Sequence, residues 1–294
     1  FTLFPDHVAL AYMGTHISFG DIDRYANRFA HMLSLHGFVK GDVVCICLPN
    51  IPEFVIAWLG TLRAGCVVSG ASPFLTTEQI AFQLHDSHAR GLVTLPTIIA
   101  EKLPSFAGNL TDLKLVLSAS TRGFLSPVKC FLSQILMKTS TDRVTGMAGK
   151  RVFHMQGLIK GTRFPSDAPV VALGPNDIAL LMYTSGTQGA PRGVMLNHRN
   201  ILAGVGIICR WFGWESKYSQ GISLSGLPLS RTLGLIFSAG FLFSGWTQVL
   251  IPDPGNYGHI CAEMHRYQPL VVTNLPSVYR RLIDWRGFKK LDFS

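Results

Sequence analysis

The sequence predicts an α/β fold of layered, largely parallel sheets flanked by helices. Three observations carry that reading. Short apolar runs of strand length alternate with segments whose apolar residues recur at helical spacing. The 294 residues are 48% hydrophobic and 15% charged, enough for a sizeable core and inconsistent with a disordered chain. The apolar run Ile178 to Tyr183 ends at a loop rich in glycine and hydroxyl side chains, and a run of that length reads as a buried strand rather than a helix.

Taken in order, Ile17–Phe19 is a short strand-like piece before a helix. Ile22, Tyr25, Ala26, Phe29 and Leu33 then share one helical face, and Gly37 stops it. Val43–Leu48 reads as a buried strand. Asn50 is expected to cap the next helix, with Pro52 in its first turn and Gly65 at its end. A strand at Cys66–Ser69, a helix opened by Thr76 and strands at Gly91–Leu95 and Leu113–Ser118 follow. From Ser120 to Ala168 the chain is basic and lacks sustained periodicity, apart from a helical pattern over Val128–Met137; a solvated surface loop is the expectation, with a patch for an anionic surface as the alternative. A strand is expected at Gly193–Leu196, and Asn197 is placed to cap a helix reaching Trp211. Leu233–Ile251 carries no charge, but its glycines and serines, with Gly245 as a helix stop, predict a buried helix and then a strand at Thr247–Ile251 rather than a membrane span.

The loop after Tyr183 reads Thr184-Ser185-Gly186-Thr187-Gln188-Gly189-Ala190-Pro191-Arg192-Gly193. Its backbone N–H groups can form an anion-binding concavity. Thr184, Ser185 and Thr187 add O–H donors, and the Arg192 guanidinium adds a planar fork suited to phosphate. The spacing is not that of a Walker A loop. On composition alone, a plain turn between two strands remains open beside a grip on a polyphosphate.

The whole string closely resembles the signature loop of the adenylate-forming (AMP-binding) enzymes, the acyl-CoA synthetases and 4-coumarate–CoA ligases among them, written Y-T-S-G-T-T-G-x-P-K-G. Gln188 and Arg192 depart from it, each keeping a hydrogen-bond donor. Pro49-Asn50 before Glu53-Phe54 and Leu62-Arg63-Ala64-Gly65 match that family's P-N-x-x-E-F and L-K-A-G patterns. Pro228-Leu229-Ser230-Arg231 and Gly234 follow its P-L-F-H-x-x-G, with Arg231 where the family has His. Leu275-Pro276-Ser277-Val278-Tyr279 is similar to its V-P-P-V-Y segment. The matching parts run over about 17–118 and from 176 onward, and 120–168 matches poorly.

The resemblance implies that residues 1–294 are an incomplete N-terminal domain of the adenylate-forming fold. It also implies an activity for the complete protein: a carboxylic acid, fatty or aromatic, is activated with ATP to an acyl-adenylate and passed to coenzyme A. Thr184, Ser185, Gly186, Thr187, Gln188, Gly189 and Arg192 would hold the ATP phosphates. Arg231 would stand beside the reacting carboxylate, and Leu233, Gly234 and Phe237 would serve the acyl site, a plain core helix being the alternative for that stretch. The family's Y-G-x-T-E motif with its Mg²⁺ ligand, its ribose Asp and its catalytic Lys are expected beyond residue 294, so no metal site is expected within this chain and residues 1–294 alone are expected not to turn over. Two other readings are an inactive nucleotide-binding remnant, favoured by Arg231, and a fatty-acyl-AMP ligase serving a carrier protein.

The formal charge of +9 suits anionic partners such as ATP and coenzyme A, and equally a basic surface loop or peripheral attraction to a membrane; no nucleic-acid motif is present. Six cysteines lack C-x-x-C spacing, which predicts buried thiols, a reducing compartment and a cytoplasmic location rather than a metal site. His85 and His88 share a helix face and read as a solvated pair.

Overall fold

The structure is a computed structural model that describes residues 3–125, 150–184, 191–213 and 221–291. In chain order the strands are β1 (Val8–Tyr12), β2 (Thr15–Ser18), β3 (Val43–Cys47), β4 (Val67–Ala71), β5 (Gly91–Thr94), β6 (Leu115–Ser118), β7 (Arg151–His154), β8 (Ile178–Thr184), β9 (Arg192–Asn197), β10 (Ile222–Ser225), β11 (Thr247–Leu250) and β12 (Val271–Thr273). The helices are α1 (Phe19–Leu35), α2 (Pro52–Arg63), α3 (Thr77–Asp86), α4 (Pro96–Glu101), α5 (Met155–Lys160), α6 (His198–Trp211), α7 (Thr232–Phe243), α8 (Tyr257–Tyr267) and α9 (Pro276–Asp284). The chain divides into two compact units, one of Phe1–Asp21, Pro49–Pro52 and Ala203–Ser294, the other of Ile22–Leu48 and Glu53–Leu202.

The second unit holds a seven-stranded sheet in the order β7-β6-β5-β3-β4-β8-β9. Every neighbouring pair is parallel except β8 and β9, which form an antiparallel hairpin. Parallel strands covered on both faces read as unbroken apolar runs, and Val44 to Cys47 are accordingly buried to within 1%. Ile22, Ala26, Phe29 and Leu33 of α1 are fully buried, the stripe that their spacing predicts. Thr76 and Gln79 make a reciprocal capping box at the head of α3. Gly65 ends α2 with φ +74°, and a Cβ there would lie 2.9 Å from the Val171 side chain. The core beneath α3 and α4 gathers Cys45, Cys47, Ile80, Leu84, Leu92, Ile99 and Val116. Burial pushes the Cys47 thiol up to about 12, outweighing the Thr94 hydrogen bond and the Lys102 charge, so this cysteine acts as a small hydrophobe.

The first unit holds a five-stranded sheet in the order β12-β10-β11-β1-β2, antiparallel only between β1 and β2. Leu224, Val249, Ile251, Ile260, Met264, Val278 and Leu282 form its core. The uncharged stretch resolves as expected into α7 and then β11, with Gly245 between them at φ +72°. No helix among the described residues is long and apolar enough to cross a membrane.

Two expectations change. The described part of the basic segment is not a bare surface loop: β7 extends the sheet and α5 buries Met155 and Ile159 completely. That pair lies four positions apart, too short a repeat to stand out in a basic context. Lys150 donates to Leu110 O, and Lys160 donates to Gly123 O at 2.8 Å while lying 4.2 Å from the centre of the Phe124 ring. The helical pattern over Val128–Met137 lies outside the described residues. Nor does the Asn50 side chain cap α2; its polar atoms are bonded elsewhere, as described below.

Candidate functional site

The candidate phosphate grip is the segment of chain between β8 and β9. β8 pairs with β4 on one side and β9 on the other, which fixes Leu180–Met182 within the sheet. Thr184 and Arg192 face each other in the last register pair, and the Thr184 hydroxyl lies 3.5 Å from Arg192 O. Both residues are exposed. Ser185, Gly186, Thr187, Gln188 and Gly189 lie outside the described residues.

Below that segment, side chains lock the hairpin. The Tyr183 hydroxyl donates to Asp86 Oδ2 at 2.6 Å, and the Tyr183 ring meets Phe82 edge-on. Burial, then the Asp86 carboxylate, hold the Tyr183 phenol well above its ordinary value, so it stays a donor. Gly193 stands opposite Tyr183, and a Cβ there would come 2.9 Å from Leu181 Cδ1; the glycine lets the two strands close. At the far end Asp177 accepts from Gly174 N at 2.6 Å and Lys40 Nζ at 2.7 Å, and these two hold its carboxyl below the usual range. Asn197 and Asn200 exchange side-chain bonds to each other's N–H groups at the head of α6, a reciprocal cap of the kind Asn197 was expected to begin.

The other predicted residues lie on the first turns of α7, in the other unit. Arg231 is exposed, sits at the N-cap with extended backbone, and donates its N–H to Pro228 O at 3.0 Å. Leu233 is exposed, Gly234 buried and Phe237 half-buried. Gly234 is there because the chain passes tightly: a Cβ would lie 2.2 Å from Pro228 O. Phe237 stacks in a tilted row with Phe212 and Phe241, their ring centres 5.9 and 6.3 Å from its own.

Asn50 is the residue that the sequence reading misassigned. It is 5% exposed. Its Nδ2 donates to Leu227 O at 2.9 Å and reaches Ser225 O at 3.4 Å, while its Oδ1 accepts from Leu229 N at 2.9 Å. The segment between β10 and α7 is therefore bonded to a side chain more than 170 positions earlier. Only the P-N-x-x-E-F match marked this Asn as special.

A family model described as AMP-binding enzyme matches residues 2–294. The chain belongs to that family. This AMP-binding chain is 28% identical over 298 residues to a long-chain-fatty-acid–CoA ligase of Bacillus subtilis (strain 168), covering 99% of the chain and 51% of that protein. It is also 28% identical over 294 residues to a ligase of the same name from Escherichia coli O157:H7, covering 99% of the chain and 52% of that protein. It thus spans about half the length of the curated relatives it matches. Among solved structures it is similar to the anthranilate CoA ligase AuaEII in complex with anthranoyl-AMP, with a TM-score of 0.80 at 19% identity over 99% of this chain and 51% of that one. The N-terminal domain of FACL13 from Mycobacterium tuberculosis follows at 0.74 and 19%, over 99% of this chain and 64% of that one. These likenesses show the layered α/β fold of the adenylate-forming ligases.

Proposed function

We propose that the complete protein activates a carboxylic acid, fatty or aromatic, with ATP and transfers the acyl group to coenzyme A. The observation that carries this reading is the Thr184–Arg192 string, which joins two paired strands whose base Tyr183 locks to Asp86. Family membership supports the general reaction class. In the first step the acid's carboxylate attacks the α-phosphate of ATP, and pyrophosphate leaves. In the second, a thiol displaces AMP from the acyl-adenylate. The chain's own contribution is positioning and donors aimed at phosphate charge: the hydroxyls of Thr184, Ser185 and Thr187, the loop N–H groups through Gly189, Gln188, and the Arg192 fork. Arg231 faces the acid under this reading, with Leu233, Gly234 and Phe237 serving its acyl part.

Magnesium would neutralise phosphate charge when bound. Among the described residues no group of three or more His, Cys, Asp or Glu side chains could hold a metal ion, and no step here is assigned to one. The described cysteines are free thiols, as a reducing setting would keep them.

Hydroxamate trapping of acyl-adenylate by the complete protein, over a panel of short, long and aromatic acids, tests the reading. A positive with at least one acid is expected, and none with residues 1–294 alone, because those residues lack the Y-G-x-T-E motif. Coenzyme A against carrier protein as acceptor separates a CoA ligase from an acyl-AMP ligase. Arg231 favours a second reading, an inactive nucleotide-binding remnant. Failure of every acid, reversed by Arg231→His, would establish that one.

A further inference from the structure

The segment leading into α7 has no regular hydrogen bonding of its own, yet Leu227 and Leu229 are buried to 6% and 1% exposure. Buried backbone groups need partners. A carboxamide is suited to supplying them, since it carries two donors and an acceptor without charge. Asn50 does so, joining Ser225 O, Leu227 O and Leu229 N through a single side chain. The grip then passes along the chain. Gly226 N is held by Thr273 O at 2.8 Å, and Pro228 O accepts from Arg231 N at 3.0 Å. The buried Gly234 packs against that same Pro228 carbonyl. Moving Pro228 therefore moves both Arg231 and the first turn of α7.

We propose that Asn50 is a positioning residue for acid activation, setting the place of Arg231 and the head of α7 without itself touching substrate. This rests on the function proposed above, which puts the acid at that turn. Displacement of a positioning group by about 1 Å costs as much as a hundredfold in rate, and with the acid at that turn the cost falls on the acid rather than on the nucleotide.

The test compares the complete wild-type protein with Asn50→Ala and Asn50→Asp. Aspartate keeps the acceptor for Leu229 N but turns a second carboxylate oxygen toward the carbonyls of Ser225 and Leu227. Both variants are expected to raise the KM for the acid about tenfold or more while the KM for ATP stays within about twofold, in step with the loss of one or two buried hydrogen bonds. Amide hydrogen exchange is expected to speed up at 227–235 and to stay unchanged in β3. A variant with unchanged acid KM overturns the proposal, as does one in which both KM values rise together. If the wild type activates no acid, the functional reading fails on its own. The exchange arm then decides the positioning claim, and unchanged protection at 227–235 defeats it.

Discussion

At Thr184 and Arg192 the two strands of one hairpin pair in register, and Tyr183 locks their base to Asp86 of α3. Between Ser225 and Leu229 the chain depends instead on a side chain 175 to 179 positions away. The first region can be recognised as a contiguous string because the atoms that make it lie side by side in sequence. The second exists only once the fold has brought Asn50 to it. A local site tolerates change elsewhere, and a clamped one does not.

The largest effect should come from the local region. Replacing Thr184, Ser185 and Thr187 together by Ala in the complete protein should cut ATP-dependent pyrophosphate release roughly a thousandfold, since each hydrogen bond to a charged group is worth about 1.5–3 kcal/mol. Unchanged release would make the loop a turn and nothing more.

A second contrast sits within one motif. Asn50 is bonded at both ends of its amide, whereas Glu53, three residues on and fully buried, is only half satisfied. Gln156 Nε2 donates to Glu53 Oε1, and Oε2 has no partner among the described residues. Burial pushes this carboxyl from 4.5 up to about 8, against the pull of its own backbone N–H, Gln156 and Lys160. Below 4.5 both folded and unfolded chains carry the proton. Between 4.5 and about 8 only the folded chain keeps it, so stability falls as pH rises through that window and levels off above it. Glu53→Gln should flatten the slope and stabilise the protein at neutral pH by on the order of 3 kcal/mol. Denaturant titrations from pH 5 to 9 check this, and parallel slopes in variant and wild type would contradict it.

Smaller shifts sharpen the same comparison. Asn50→Ala leaves the Leu229 N–H buried without its acceptor and should cost about 2 kcal/mol of stability in urea unfolding. Tyr183→Phe removes one bond at the hairpin base and should cost about 1 kcal/mol. A larger loss at Tyr183 than at Asn50 would reverse the ranking of local and clamped regions.

The elements that the sequence made legible share a physical trait: their signals are local. The apolar run of β3, the Thr76 cap, the α1 stripe and the break at Gly245 each depend on neighbours within a turn or two. The missed features depend on distance. β7 and α5 are short pieces held by partners far along the chain, and their basic residues masked two buried apolar positions. Asn50 stands two positions before Pro52 and the start of α2, where a cap is the ordinary assignment. Its actual partners were invisible until β10 and α7 were placed. Ser185 to Gly189, central to the sequence reading, lie outside the described residues.

Under the proposed function there is a division of labour, the hairpin serving ATP and the Asn50-held turn serving the acid. Acid-dependent exchange between ATP and labelled pyrophosphate, measured on the complete wild-type protein, a Thr184→Ala variant and an Asn50→Ala variant, tests it directly. The predicted result is a crossed pattern: the KM for ATP rises in the hairpin variant alone, and the KM for the acid rises in the Asn50 variant alone. Both constants moving together in either variant would contradict the claim.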